Sequence, residues 1–237
     1  MMQDPKTLII ALLGGMTPAL LWLWFWLKED DKEKEPMALL SIIFIVGMLS
    51  VFFVLPLQKF IQIHVNVEEW KIIYWAAAEE LIKFLAAIVI VWKSSYVDEP
   101  IDWPIYLITA ALGFAALENA MFLIRPLSVD QTTVSLLSGH LRFLGSTLLH
   151  TVASGAIGVA IGLSFLMSPI FKKIYLFFGF AAAITLHSLF NFFIIRNSGG
   201  DFMKVFAFLW VVTIIMMLLL EKLRRMSFEL KNIYSPN

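Results

Sequence analysis

The sequence predicts an all-α polytopic membrane protein with about seven transmembrane helices, and three observations carry the prediction. Of 237 residues, 60% are hydrophobic and only 15% charged, and the mean hydropathy is +0.83. A soluble domain is about half apolar and about a quarter charged. The apolar excess lies in long blocks, each long enough to cross a ~30 Å hydrocarbon core. The ~10-residue stretches of alternating polarity that a β-barrel needs do not appear.

The blocks place spans at 7–27, 37–57, 71–92, 104–124, 141–167, 172–195 and 202–222. The first has no A-x-A-like cleavage site and ends in a tryptophan cluster, so it reads as a retained span and not a signal peptide. Lys28 to Pro36 (KEDDKEKEP) reads as a solvated charged loop before the second span. Gln58 to Trp70 holds an amphipathic stretch that either lies at the interface or extends the third span. Val97 to Pro104 (VDEPIDWP) reads as a proline-bounded turn, and Arg125 to Gly139 as the longest loop. No linker separates domains, so residues 1–237 form one unit with a motif-bearing core over about 71–195. Trp22, Trp24, Trp26, Trp70, Trp92 and Trp103 fall near span ends, as an aromatic belt would.

Charge and cysteine content exclude several classes. The 18 basic and 18 acidic residues cancel, which gives no electrostatic footprint for nucleic acid. The absence of cysteine excludes disulfides and thiolate metal ligands. Orientation in the cell membrane follows from Lys and Arg in the loops. Lys28, Lys32, Lys34, Lys93, Lys172, Lys173, Lys222, Arg224, Arg225 and Lys231 fall on one side. Lys6, Lys59, Lys71, Arg125, Arg142, Arg196 and Lys204 fall on the other. The first group is larger, which places the C-terminus in the cytoplasm and the N-terminus outside.

The residues that carry chemistry are the polar ones inside the spans. Glu79, Glu80 and Lys83 lie in the third, Glu118 and Asn119 in the fourth, His150 in the fifth, and His187 and Asn191 in the sixth. An ionisable group at that depth costs at least ~2.5–3.5 kcal/mol on insertion scales, so it is normally paired, cavity-facing and functional. Counted from the span ends, Glu79, Glu118, His150 and His187 all fall roughly 9–14 Å below the outer face, at 1.5 Å per residue. Helices of alternating direction place them in one layer, with a carboxylate oxygen of Glu79 or Glu80 and a ring nitrogen of His150 or His187 within about 4–7 Å, close enough for one bridging water.

Each motif has a bland reading when taken alone. EELIK is a self-neutralising Glu–Lys pair, since Lys83 reaches either carboxylate. Glu79 and Glu80 point about 100° apart, so one faces the cavity and the other a neighbouring helix. His187 and Asn191 share a helix face and would serve either as an interhelical hydrogen bond or as donors to an oxyanion. Arg142, two turns before His150, either snorkels to the interface or clamps a carboxylate. His64 and His140 read as peripheral. His150, His187 and a Glu would make a His₂Glu zinc set, which the sequence permits without an HExxH motif to demand it. Together, the four motifs point to a chemical site inside the membrane. The lack of an inverted repeat or paired broken helices argues against a proton-coupled transporter, and the intact Glu–Glu–Glu–His–His–Asn set argues against a scaffold.

EELIK (79–83), GFAALEN (113–119), RFLGSTLLH (142–150) and HSLFN (187–191) follow one another on successive spans. This order resembles the PrsW family of intramembrane proteases, related to the CAAX prenyl-protease and bacteriocin-processing group. The resemblance covers about residues 1–195, including the acidic loop ending in Glu-Pro. It implies hydrolysis of a peptide bond of a membrane-anchored, anti-sigma-factor-like protein near the outer leaflet. It implies Glu79 or Glu80 as the water-activating base, His150 assisting, His187 and Asn191 at the oxyanion, and Glu118 orienting a His or water.

Overall fold

A computed structural model of the chain describes residues 5–28, 35–92, 94–128, 132–196 and 202–234, excepting the side chains of 125–144, 194–196, 202 and 231–234. The helices are α1 (Pro5–Leu27), α2 (Met37–His64), α3 (Glu68–Val91), α4 (Asp102–Ser128), α5 (Thr132–Leu163), α6 (Pro169–Arg196) and α7 (Phe202–Tyr234). Six are long and apolar enough to cross a membrane. The exception is α3, whose 24 residues include Glu68, Glu69, Lys71, Glu79, Glu80 and Lys83. An all-α polytopic membrane protein is therefore the observed class.

Two connections differ from the sequence reading among the described residues: the amphipathic stretch after Gln58 mostly extends the second helix and not the third, and the longest expected loop is helical at both ends. α2 runs on to His64, and only residues 65–67 separate it from α3. Pro56 removes one backbone donor without ending α2. Of Arg125 to Gly139, residues 125–128 end α4 and 132–139 begin α5. Apolar side chains mark where lipid stops, whereas backbone hydrogen bonding continues past that plane. The aromatic belt also divides. Trp24, Trp70 and Trp92 are exposed, but Trp26 is buried and stacked on Trp22.

α4 and α5 form the centre of the bundle, with 72% and 78% of their apolar stretches enclosed against 17% for α1. α4 packs on α1, α2 and α5, while α5 also meets α6 and α7, and α3 lies against α2, α6 and α4. Large apolar side chains such as Phe53, Val89, Phe177 and Leu218 face outward, where lipid would solvate them.

α2 and α4 touch backbone to backbone. A Cβ at Gly113 would meet the Phe44 carbonyl oxygen at 2.0 Å, and one at Gly47 would meet the Ala110 carbonyl oxygen at 2.2 Å. Only hydrogen fits at either place, and small residues are the usual means of such an approach. Gly113→Ala should therefore destabilise the fold by about 1–3 kcal/mol, as overpacking does. A thermal unfolding curve of the variant in detergent that overlays the wild type would refute this.

The turn before α4 is built on carboxylates. Asp102 Oδ2 accepts the backbone N–H groups of Asp98 and Glu99 at 3.0 and 2.7 Å. The Tyr106 hydroxyl binds Glu35 from the α1–α2 connection and also reaches the Tyr96 carbonyl oxygen at 2.9 Å. Burial holds the carboxyls of Glu35 and Glu99 above the ordinary glutamate range. An acid raised on folding contributes stability below its unfolded pKa and loses it as pH rises through the folded value. Stability should therefore fall as pH rises from 4.5 into that raised range, and Glu35→Gln should flatten the dependence in melting curves taken across it.

Candidate active site

α3, α4, α5 and α6 each contribute to one buried polar cluster. Glu80 and Lys83 are fully buried, His150 and His187 are 2% exposed, and Glu79 is 4% exposed. Glu118 is the most open member, with its side chain 19% exposed.

Glu79 and Glu80 do not diverge as their helical positions suggest. Both end on the ring of His187, one at each nitrogen. His187 Nδ1 lies 2.7 Å from Glu80 Oε1, and His187 Nε2 lies 3.5 Å from Glu79 Oε2. The ring on α6 projects between the two carboxylates, so their angular separation on α3 becomes a clamp. The direct 2.7 Å contact is closer than the approach within about 4–7 Å that the sequence predicts.

Glu80 is fully engaged. Lys83 Nζ donates to its Oε1 at 2.5 Å and Ser154 Oγ donates to its Oε2 at 2.7 Å. Lys83 also lies 3.0 Å from His150 Nδ1, and His150 Nε2 is 2.9 Å from Glu118 Oε2. These partners assign the tautomers. An ammonium only donates, so His150 Nδ1 accepts and its Nε2–H donates to Glu118. The bond to Glu80 places the His187 proton on Nδ1 and leaves the Nε2 lone pair facing Glu79. The His150 and His187 rings meet edge to face at 5.1 Å. Phe114 closes the cluster from α4, 5.5 Å from the His150 ring and 5.2 Å from Lys83 Nζ.

Glu79 is engaged at one oxygen only. Gln58 Nε2 donates to its Oε1 at 2.8 Å, whereas Oε2 is buried and has no hydrogen-bond partner among the described residues. That orphan faces the His187 Nε2 lone pair, which makes two acceptors in contact. A proton or a cation between them resolves the conflict.

Glu79, His150 and His187 offer ligand atoms that all lie within 4.8 Å of one another, so a metal ion fits. Glu80 orients His187 through Nδ1, and Glu118 orients His150 through Nε2. That is the carboxylate–histidine support a metal ligand needs. Glu79 and His187 suit an ion as they stand, while His150 Nδ1 becomes available once Lys83 turns from it to Glu80.

The remaining sequence candidates are more peripheral. Asn191 is half-buried one turn beyond His187 and joins none of the cluster's hydrogen bonds among the described residues. Asn119 donates to Thr147 Oγ1 at 3.1 Å and links α4 to α5. The side chains of Arg142 and His140 lie outside the described residues. His64 is exposed and bonded to the Phe60 carbonyl oxygen at 2.9 Å. Two members escape a sequence reading. Gln58 lies past the second apolar block, and Ser154 reads as a small packing residue. Neither carries a signal until the fold brings it to a glutamate.

Comparison with known proteins gives the lineage. The Protease PrsW of Shouchella clausii is 25% identical over 226 residues, 93% of this chain and 98% of that protein. The Protease PrsW of Clostridioides difficile is 28% identical over 192 residues, covering 78% of this chain and 76% of the relative. The match to the Protease PrsW of Geobacillus kaustophilus is 28% identical but spans only about half of each, 47% of this chain and 51% of that one. No solved structure matches. Residues 35–220, which hold every glutamate and histidine of the cluster, match the family described as PrsW family intramembrane metalloprotease, and the chain belongs to that family.

Proposed function

We propose that this chain is an endopeptidase that hydrolyses a peptide bond of a membrane-anchored protein, with water activated at the Glu79–His150–His187 centre. The observation that carries the reading is the buried, unpartnered Glu79 Oε2 opposite the His187 lone pair 3.5 Å away. A water between them meets two proton acceptors at once. Glu79 Oε2 takes one proton of the water as its oxygen bonds to the scissile carbonyl carbon, and hands it on to His187 Nε2, 3.5 Å away. His187, now carrying a proton on Nε2, and the Asn191 amide donate to the oxyanion. The C–N bond then breaks and the proton passes to the leaving amine. Glu80 and Glu118 hold the two imidazoles in their tautomers, and Lys83 offsets part of the negative charge.

The family's description as a metalloprotease favours zinc at Glu79, His150 and His187. Zinc there would bring the pKa of bound water to about 7 and act as a Lewis acid on the carbonyl. If zinc is resident, chelation should abolish cleavage and zinc should restore it. Cleavage that survives exhaustive chelation leaves the glutamate–histidine pair alone as the activating group.

By charge distribution the N-terminus is outside and the C-terminus cytoplasmic, which puts the site toward the outer leaflet. The substrate implied by the family resemblance is a single-span protein of the anti-sigma-factor kind. A reporter fused after Asn237 should score as cytoplasmic. The decisive experiment is cleavage of single-span proteins in liposomes by wild type and Glu79→Gln, where no product from wild type would refute the function and equal product from both would refute Glu79 as the activating group.

A further inference from the structure

Beyond the Gly47 and Gly113 contact, α2 and α4 part and enclose a cavity of about 540 Å³, within the ~300–1,000 Å³ range of ligand pockets. Val51, Val54 and Phe114 form its floor and are 2%, 1% and 1% exposed. Leu55, Met121 and Phe122 form its rim and are 39%, 36% and 52% exposed. The cleft thus opens sideways, on the surface where other large apolar side chains face lipid.

Among the described residues lining it, Gln58 and Glu118 are the only polar ones, and both belong to the cluster. Gln58 donates to Glu79 at 2.8 Å, and Glu118 accepts from His150 at 2.9 Å. The apolar cleft therefore ends on the direct hydrogen-bond partners of Glu79 and His150.

We propose that the α2–α4 cleft is the specificity subsite, which takes a large apolar side chain (Leu or Phe class) from the residue next to the scissile bond of a substrate arriving from within the bilayer. The inference rests on the endopeptidase reading. An occupant with a polar side chain would leave its hydrogen bonds unmet against Val51, Val54 and Phe114. A small side chain would leave the cavity unfilled and its contacts unmade. A water-borne ligand would have no reason to approach through a rim of Leu, Met and Phe.

Two measurements test it. In the first, single-span substrates differ only in Gly, Ala, Leu or Phe beside the cut, and Leu55→Trp and Met121→Trp narrow the rim. Wild type should favour Leu and Phe over Gly by tenfold or more. The tryptophan variants should lose about tenfold on Leu and Phe while keeping their rates on Gly and Ala. A uniform loss across the panel, or none, overturns the proposal. The second does not depend on turnover. The chain has no cysteine, so Leu55→Cys or Met121→Cys in a Glu79→Gln background gives a unique thiol. It should form a disulfide with a substrate bearing cysteine beside the scissile bond, and Leu218→Cys on α7 should not. Disulfides at 55 and 121 with no cleavage by wild type would sink the protease reading and keep the cleft as a binding site. Equal disulfide yield at 55, 121 and 218 would sink the cleft even with cleavage intact.

Discussion

Glu79→Gln is expected to lower cleavage of a single-span substrate by about 10²–10⁴-fold, the usual loss when a general base is removed. The exchange keeps size and keeps an acceptor for Gln58, while the orphaned oxygen that faces His187 loses its charge or becomes an amide donor. Folding should survive, because the change takes a charge away from bilayer depth. Glu80→Gln should also abolish turnover, but it is the poorer test. Glu80 is the counter-ion of Lys83 and the acceptor for His187 and Ser154, so its loss mixes chemistry with packing. His187→Ala and Asn191→Ala should each cost on the order of 10²–10³-fold if both serve the oxyanion. Rates measured in liposomes, with melting curves alongside, separate lost chemistry from lost fold. Full activity in Glu79→Gln would remove this carboxylate from the mechanism.

Lys83→Met is expected to destabilise the protein by about 3–5 kcal/mol, the usual result of removing one partner from a buried ion pair. Lys83 is completely buried, with its ammonium shared between Glu80 and His150. Methionine fills the space, but it leaves Glu80 with only His187 and Ser154 to offset its charge. His150 also loses the donor that fixes its tautomer. Denaturant titration in mixed micelles gives the measurement. A variant as stable as wild type would mean that Glu80 is neutralised by another group. Lys83→Arg tests geometry, because the planar guanidinium cannot place a single donor between Glu80 and His150 as an ammonium does.

Most of the fold was legible because the bilayer imposes one simple demand, a long apolar run for each crossing. Helix ends were less legible, since backbone hydrogen bonding outlasts the apolar run at the end of α2, at the end of α4 and at the start of α5. The candidate site was legible in its membership, because Glu79, Glu80, Glu118, His150 and His187 are each costly at depth. Its wiring was not. Helical angle separates Glu79 from Glu80, and nothing in α3 indicates that a ring from α6 reaches between them. Gln58 and Ser154 were invisible for a different reason. A glutamine near a helix end and a serine among small residues cost little, so they carry no signal until a buried glutamate is found against them.

The composition of α3 bears on how the chain reaches the membrane. Glu79, Glu80 and Lys83 each oppose partitioning by about 2.5–3.5 kcal/mol on insertion scales, and α3 is not among the six described helices that are long and apolar enough to cross a membrane. Its stay in the bilayer depends on neighbours that arrive before and after it on the ribosome. α2 precedes it and can supply Gln58 to Glu79. Ser154, His150 and His187 follow much later. In a nascent chain halted after α3, α1 and α2 hold the chain in the membrane, but a cysteine placed in α3 should be reached by a water-soluble thiol reagent and should become protected once α5 and α6 have emerged. The residues that make the site reactive would also make its synthesis vulnerable, and the interval between α3 and α6 is when quality control could remove the chain.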